Sequence, residues 1–380
     1  MPSRTFDAIV VGLGGVGSAA AYHLARRGLR VLGLERFAAL HDRGSSHGHT
    51  RVIRQAYFEH PDYVPLLLRA YDLWAELERE RGVELMLTCG GLMVGQPDSA
   101  VVAGSARSAR LHALPHDLLS PKDVRSRFPA FHLGPEEVAL YEPRAGVLFP
   151  EDCIRAHLDG ASAYGAELQF EEPVTGWEAD DVGVTVRTER AAYQAGALVV
   201  TAGPWIGRLL ADLALPLEVE RQVVFWFEPR IPELFAPERF PVFIWQVPEG
   251  TFYGIPALRG RGVKLARHHG GATTDPDDVA PPRASESEWV RGQIASRLPE
   301  ADSRLQAMAA CLYTNTLDEH FVIDRHPRHP TVVFASACSG HGFKFTCVTG
   351  QALTDLATEG RTDLPVGFLS LSRWAGPARG

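Results

Sequence analysis

The stretch FDAIVVGLGGVGSAAAYHLARRGLRVLGLER, residues 6–36, constrains the fold of this chain more than any other segment. Residues 8–11 are small or β-branched and apolar, the make-up of a strand buried on both faces of a parallel sheet. Gly12, Gly14 and Gly17 follow as GxGxxG. The first glycine permits a tight turn, the second lets backbone approach a pyrophosphate, and the third lets helix and strand pack closely. Free N–H groups and the helix dipole are then aimed at an anion. The spacing predicts a helix over 16–26 that ends at Gly28, then a strand over 30–34 that delivers Glu35 to a ribose diol. A bare glycine-rich turn would need neither the flanking elements nor the acid, so together they point to a dinucleotide. They do not separate FAD from NAD.

With 380 residues, 45% of them hydrophobic, the chain is long enough for two domains rather than one core. A formal charge of -8 gives no general attraction to nucleic acid or to an anionic membrane, both of which need clustered lysine and arginine. Five cysteines (Cys89, Cys153, Cys311, Cys338, Cys347) without CxxC or metal-like spacing read as reduced thiols of a cytoplasmic protein. Asp7 and the early glycines argue against a signal peptide after Arg4, and the apolar run there is too short to span a bilayer.

Residues 40–60 read as a polar, glycine-containing loop. An amphipathic helix over 63–80 follows, with Val64, Leu67, Leu68, Tyr71 and Leu77 on one face and Pro65 in its first turn. A further helix is expected over 151–164, an antiparallel meander over 168–188, and a strand ending in a glycine turn over 197–205. Segments 221–229, 240–248, 251–258 and 262–269 are strand-like and suggest a mostly antiparallel sheet. Residues 331–360 return to strand, glycine loop and helix, the helix over 346–357 directing its positive end toward the cofactor. The expectation is an α/β (α+β) chain with a discontinuous Rossmann-like domain (1–82, 150–216 and 317–380) and a substrate domain (83–149 and 217–316). No repeat, metal-ligand cluster or catalytic triad is visible.

Arg51 and Arg54 are three apart, which on a helix or turn makes a fork for a carboxylate, although a solvated charged pair has the same spacing. Alternation in 262–269 puts Lys264, Ala266 and His268 on one strand face. Tyr253, Tyr313, Ile244 and Trp245 are candidates to wall a pocket, yet aromatics on strands usually belong to the core. A cysteine is ordinarily a small buried hydrophobe.

GxGxxG with Glu35, GSSHGHTRVIR (44–54), GVKLARHH (262–269), CLYTNTLDEHFVID (311–324) and SGHGFKF (339–345) together resemble the monomeric sarcosine oxidase and N-methyltryptophan oxidase family. The resemblance spans nearly the whole chain in one order. It implies an FAD-dependent oxidase that turns the secondary amine of an amino acid into an imine, passes electrons to oxygen and releases hydrogen peroxide. It also implies that Cys311 tethers the flavin through a thioether, chemistry that suits a thiolate nucleophile. Thr50, Gly340 and Gly342 would touch the cofactor, Arg51 would lie against it, and Arg54 and Lys344 would hold the substrate carboxylate. Lys264 would promote electron transfer to oxygen, with His268 and Tyr253 near the amine. His320 and Asp324 would either assist tethering or fix the loop, and the charged Arg267 departs from the family pattern. A monomer is implied. Alternatives are an oxidase of a cyclic or bulky amine, a flavoprotein dehydrogenase that does not use oxygen, a flavin-binding protein without turnover, and an NAD-linked dehydrogenase sharing only the opening unit.

Overall fold

The computed structural model describes residues 4–180 and 182–374. The ends of the expected cofactor-domain segments, 1–3 and 375–380, and Asp181 of the expected meander lie outside the described residues. The opening strand, Arg4–Val11, sits at the centre of an eight-stranded sheet. It runs parallel to Val31–Leu34 on one side and to Ala192–Val200 on the other, and Val332–Ser336 adds a further parallel strand beyond Ala192–Val200. These runs are apolar on both faces because helices cover the sheet. The helix Gly15–Arg26 buries Ala19, Ala20 and Ala21 completely against the helices Pro150–Ala163 and Thr346–Glu359. Small side chains let the three helices approach closely over the dinucleotide turn.

Two glycines of that turn answer to distinct steric demands. Gly12 has φ +87, a left-handed conformation that a side chain disfavours, and a Cβ there would meet the carbonyl oxygen of Thr201 at 2.6 Å. A Cβ on Gly17 would come within 1.7 Å of the carbonyl oxygen of Gly12.

The expected meander over 168–188 is only partly present. Val174–Ala179 and Val184–Thr188 form an antiparallel hairpin, but Glu167–Gln169 runs parallel to Val31–Leu34 at the sheet edge. The reason is the crossover: the helix Pro150–Ala163 gives way to Gly165, φ +91, which turns the chain back onto the sheet.

A nine-stranded sheet is built around the strand Leu217–Glu228, which pairs antiparallel with Arg304–Thr316, Val263–His268 and Ala272–Thr273. It continues through Gly250–Ile255 and Val242–Val247 to Gly91–Gly95, the last two being parallel to each other. Phe225, Phe227, Phe243, Trp245 and Phe252 form its core. Four α-helices among the described residues were not foreseen, one of them the single turn Ile206–Leu209. Ala100–Leu111 is capped by Ser99, and Pro121–Arg127 by a Ser120–Asp123 capping box. Glu288–Arg297 lies within the substrate-domain stretch 217–316, expected to be mostly antiparallel sheet; it buries only Val290 and Ile294 of its apolar positions, too sparse a stripe to read as a helix. The stretch read as a polar loop contains the strand Arg51–Ile53, paired with Gly146–Leu148, which also pairs with Met86–Thr88 in a three-stranded sheet. Among the described residues no helix is long and apolar enough to cross a membrane.

Gly17→Ala is expected to destabilise the flavin-free protein by about 3 kcal/mol, the range of a forced core clash. An unfolding midpoint equal to that of the unsubstituted protein would contradict the packing described.

Candidate active site

The sheets meet around a cavity of about 530 Å³. One end is made by the first dinucleotide turn: Gly12, Gly14 and Glu35 line it, and Thr201 and Gly203, at the end of the strand Ala192–Val200, close the same end. Glu35 is buried; its Oε2 accepts the Leu13 N–H at 2.8 Å and its Oε1 the Phe37 N–H at 3.0 Å. The other end is lined by Arg51, Arg54, Tyr253, His268, Cys311 and Lys344. Gly340, Gly342 and Thr346 join the two ends from the start of the helix Thr346–Glu359. Gly17 lies behind the turn, packed on Gly12, and does not face the cavity.

The strand Arg51–Ile53 replaces the helix or turn expected at Arg51, so the two arginines do not form a single fork. The Arg51 guanidinium donates to the carbonyls of Thr50 (2.9 Å) and Ser45 (2.8 Å) and reaches the Cys311 sulfur at 3.4 Å. Cys311 is placed by the strand Arg304–Thr316, opposite Gln222. Burial alone would push its thiol up, but Arg51, then His47 and Lys264, bring it down to about 7. The other thiols behave differently: burial pushes Cys89 up to about 11 and raises Cys153, Cys338 and Cys347 as well. No disulfide joins any of the five.

Arg54 is almost wholly buried and is held by Glu59, whose Oε1 and Oε2 accept at 2.6 and 2.7 Å; its guanidinium lies 4.1 Å over the Tyr57 ring. Glu59 went unnoticed in the sequence, since nothing in RQAYFEH sets it apart from a solvated acid. Lys344, on the single turn Phe343–Phe345, donates to the His341 carbonyl at 2.6 Å and approaches the Tyr57 hydroxyl at 3.5 Å. Burial, and then the charge of Arg54, bring its ammonium down to about 7.

Lys264 and His268 share a face of the strand Val263–His268. Lys264 donates to the carbonyls of Gly48 and Thr50, both at 2.9 Å, and sits behind the 48–51 segment rather than in the cavity wall. His268 lies 3.3 Å from the Tyr313 hydroxyl; burial, then His269, holds its imidazolium far below the usual range, so the ring is neutral. Burial likewise pushes Tyr253 up to about 12. Arg267 points to the opposite face and stacks 4.8 Å over Trp289, away from the cavity. Of the proposed walls, Ile244, Tyr253 and Tyr313 line the cavity, whereas Trp245 turns into the core and donates to Glu137 at 2.8 Å. His320 contacts the Tyr63 hydroxyl, and Asp324 accepts from Ser370 and Leu371; both fix loops and neither lines the cavity.

The donor set fits a large polar cofactor. Thr314, Ser336 and Thr346 line the cavity with buried hydroxyls that lack a protein partner, which is uncommon unless a ligand supplies one. Among the described residues no group of three or more histidines, cysteines or acids is arranged for a metal ion.

Comparison with known proteins agrees with this geometry. A family profile described as FAD dependent oxidoreductase matches residues 7–356. Monomeric sarcosine oxidase of Streptomyces avermitilis is 48% identical, across 98% of this chain and 99% of its own length. N-methyl-L-tryptophan oxidase of Escherichia coli O139:H28 is 35% identical, across 97% and 99%. The solved structure of NikD, an unusual amino acid oxidase essential for nikkomycin biosynthesis, superposes with a TM-score of 0.85 at 26% identity, covering 97% of this chain and 98% of that one.

In protein produced without flavin, alkylation of Cys311 should quicken with pH and level off above about 7. Arg51→Ala should move that midpoint upward, and an unmoved midpoint would show that Arg51 does not set it.

Proposed function

The chain belongs to the FAD-dependent oxidoreductase family, and from that premise we propose that it is an FAD-dependent oxidase of N-methyl amino acids such as sarcosine. The observation that carries this is one continuous cavity joining a dinucleotide turn at Gly12 and Glu35 to two buried basic side chains, Arg54 and Lys344, that line its other end.

Gly12, Gly14, Glu35, Arg51, Gly340 and Gly342 would hold FAD, whose ring system accepts a hydride equivalent from the carbon next to the substrate nitrogen, leaving an imine that hydrolyses to aldehyde and amine. Thr50 contributes through its carbonyl, which fixes both Arg51 and Lys264. Cys311, a thiolate near neutral pH, is proposed as the thioether tether. Lys344 and Arg54 bind the substrate carboxylate, Arg54 exchanging the carboxylate of Glu59 for that of the substrate. Only the neutral amine has a lone pair to release. The concentrated positive charge of Arg51, Arg54 and Lys344 lowers the pKa of a bound ammonium, and the neutral rings of His268, Tyr253 and Tyr313 add no negative charge to oppose this. Burial, and then the charge of Arg51, hold the Lys264 ammonium well below the usual lysine range, so Lys264 readily gives up a proton and would stabilise the negative charge that develops as dioxygen is reduced to hydrogen peroxide. The free thiols support a cytoplasmic protein, and the Arg51–Cys311 site is complete within one chain, which supports a monomer. The proposed division is a cofactor domain (1–82, 150–216, 317–380) and a substrate domain (83–149, 217–316), with the three-stranded sheet of Arg51–Ile53, Gly146–Leu148 and Met86–Thr88 bridging the two.

The test is a panel of sarcosine, longer N-methyl amino acids, N-methyltryptophan, pipecolate and primary amino acids, read by anaerobic bleaching of the flavin and by peroxide release. N-methyl amino acids should give both signals; bleaching by none of the secondary amines would overturn the proposal. A simple carboxylate without an amine, such as propionate, should bind more weakly as pH rises through about 7, because Lys344 is charged below that value and neutral above it. Lys344→Met should weaken the binding by about tenfold or more, the usual loss of a buried charge pair, and should abolish this pH dependence. A variant that retains it would remove Lys344 from the carboxylate site.

A further inference from the structure

A buried carboxylate that the proposed reaction does not use lies just behind the amine end of the main cavity. Along Leu217–Glu228, Val224 and Gln222 line the cavity, and Glu220 comes next on the same strand face. The neighbouring strand matches this row in register: Cys311 stands opposite Gln222 and Tyr313 opposite Glu220, both in the cavity wall. Glu220 therefore continues the row that carries Cys311, one step beyond the wall. Its Oε1 accepts from the Gln222 amide at 2.5 Å and from the Gly271 N–H, and its Oε2 accepts from the Asn315 amide at 2.7 Å and faces Nδ1 of His269 at 3.5 Å. Burial alone would push this carboxyl up, but the bond to His269, then those to Gly271 and Asn315, hold it below the usual carboxylate range, so it is an anion.

His269 joins this anion to the cavity. After the strand Val263–His268 the chain turns through His269, φ +62, and Gly270, φ +79, and the first is a left-handed conformation that a residue with a β-carbon adopts only under constraint. The turn lays the His269 ring against that of His268, their centroids 4.2 Å apart. On its far side His269 Nε2 lies 4.0 Å from the carboxylate of Glu319, which is 63% exposed. One ring thus touches a cavity-lining histidine on one side and approaches water on the other. Bonds from Glu220 to Gly271 and Asn315 would suffice to tie strands together, and they do not call for an imidazole held in a strained turn. A proton on His269 is flanked by two carboxylates, whereas on His268 it would meet the Tyr313 hydroxyl at 3.3 Å in buried surroundings. The charge is better placed on His269, which gives the pair of rings a direction.

We propose that His269, held by Glu220, is the proton outlet of the amine end: it takes the proton that a substrate ammonium gives up through His268 and releases it to water beside Glu319. The inference rests on the oxidase reading given above, in which only the neutral amine reacts. One N–H bond of the ammonium breaks and one forms on His268; the proton then passes to His269 and to water, and no electron moves. Glu220 is a positioning residue. By engaging Nδ1 it leaves Nε2 turned to the exposed side.

The test uses the flavin-loaded protein and two variants, Glu220→Gln and His269→Asn, asparagine being tolerant of the left-handed turn. Each is mixed anaerobically with sarcosine at neutral pH in weakly buffered solution containing a pH indicator. The unsubstituted protein should release one proton as the flavin bleaches. In both variants bleaching and proton release should slow together by about a hundredfold, the low end of what a positioned proton-transfer group supplies. Imidazole added to the solution should restore much of the rate of His269→Asn, and propionate should bind both variants as it binds the unsubstituted protein. A His269→Asn protein that bleaches and releases its proton at the unsubstituted rate would overturn the outlet. So would slow bleaching that imidazole does not improve in a variant whose propionate binding has weakened, since His269 would then merely support the site. If no amine bleaches the unsubstituted protein, the oxidase reading fails and the outlet with it; normal bleaching with an indifferent variant overturns the outlet alone.

Discussion

The contact between the Arg51 guanidinium and the Cys311 sulfur, at 3.4 Å, is the point on which the site depends. The two residues are 260 positions apart and come from different sheets: Arg51 from the short three-stranded one, Cys311 from the large antiparallel one. Between them passes the Ser45 carbonyl, carried by the loop that leaves the first parallel strands. A buried guanidinium with only carbonyls and a thiol for company is costly unless something anionic shares its surroundings. Arg51, Lys264 and Lys344 are all in that condition, fixed mainly by carbonyl oxygens, while Arg54 alone has a carboxylate, Glu59. Their combined positive charge draws Cys311 toward the thiolate, and a phosphorylated cofactor and a carboxylate substrate would offset the rest.

Strand alternation then divides the work. Along Val263–His268, Lys264 and His268 share one face, His268 in the cavity wall and Lys264 behind the 48–51 segment, while Arg267, between them, turns to the opposite face onto Trp289. Along Val242–Val247, Ile244 enters the cavity wall and Trp245 the hydrophobic core. A one-residue slip in either strand would bury Arg267 in the site or expose Trp245, so the register that packs the aromatic core also fixes which charges meet the cofactor.

The opening unit was legible because strand, glycine turn, helix and acid follow one another within thirty-one residues and each has a period of its own. The mostly antiparallel second sheet was legible from its runs of aromatic and β-branched residues. Arg51 was misread as part of a helix or turn because a three-residue strand has no period to detect and owes its existence to its partner Gly146–Leu148. The helix Glu288–Arg297 was hidden by its thin apolar stripe, and Glu59 by the absence of any pattern at all. Cys311 is the sharpest case. Nothing local separates its thiol from Cys338, and only the fold, by bringing Arg51 against it, lowers one while burial raises the other.

The account stands most directly on where the flavin is attached. Mass spectrometry of proteolytic peptides from the yellow, acid-denatured protein should find the cofactor's mass on the peptide that contains Cys311, and on no other. A flavin adduct on the Cys338 peptide, or a Cys311 peptide recovered wholly unmodified from flavin-loaded protein, would contradict the role given to the Arg51–Cys311 contact.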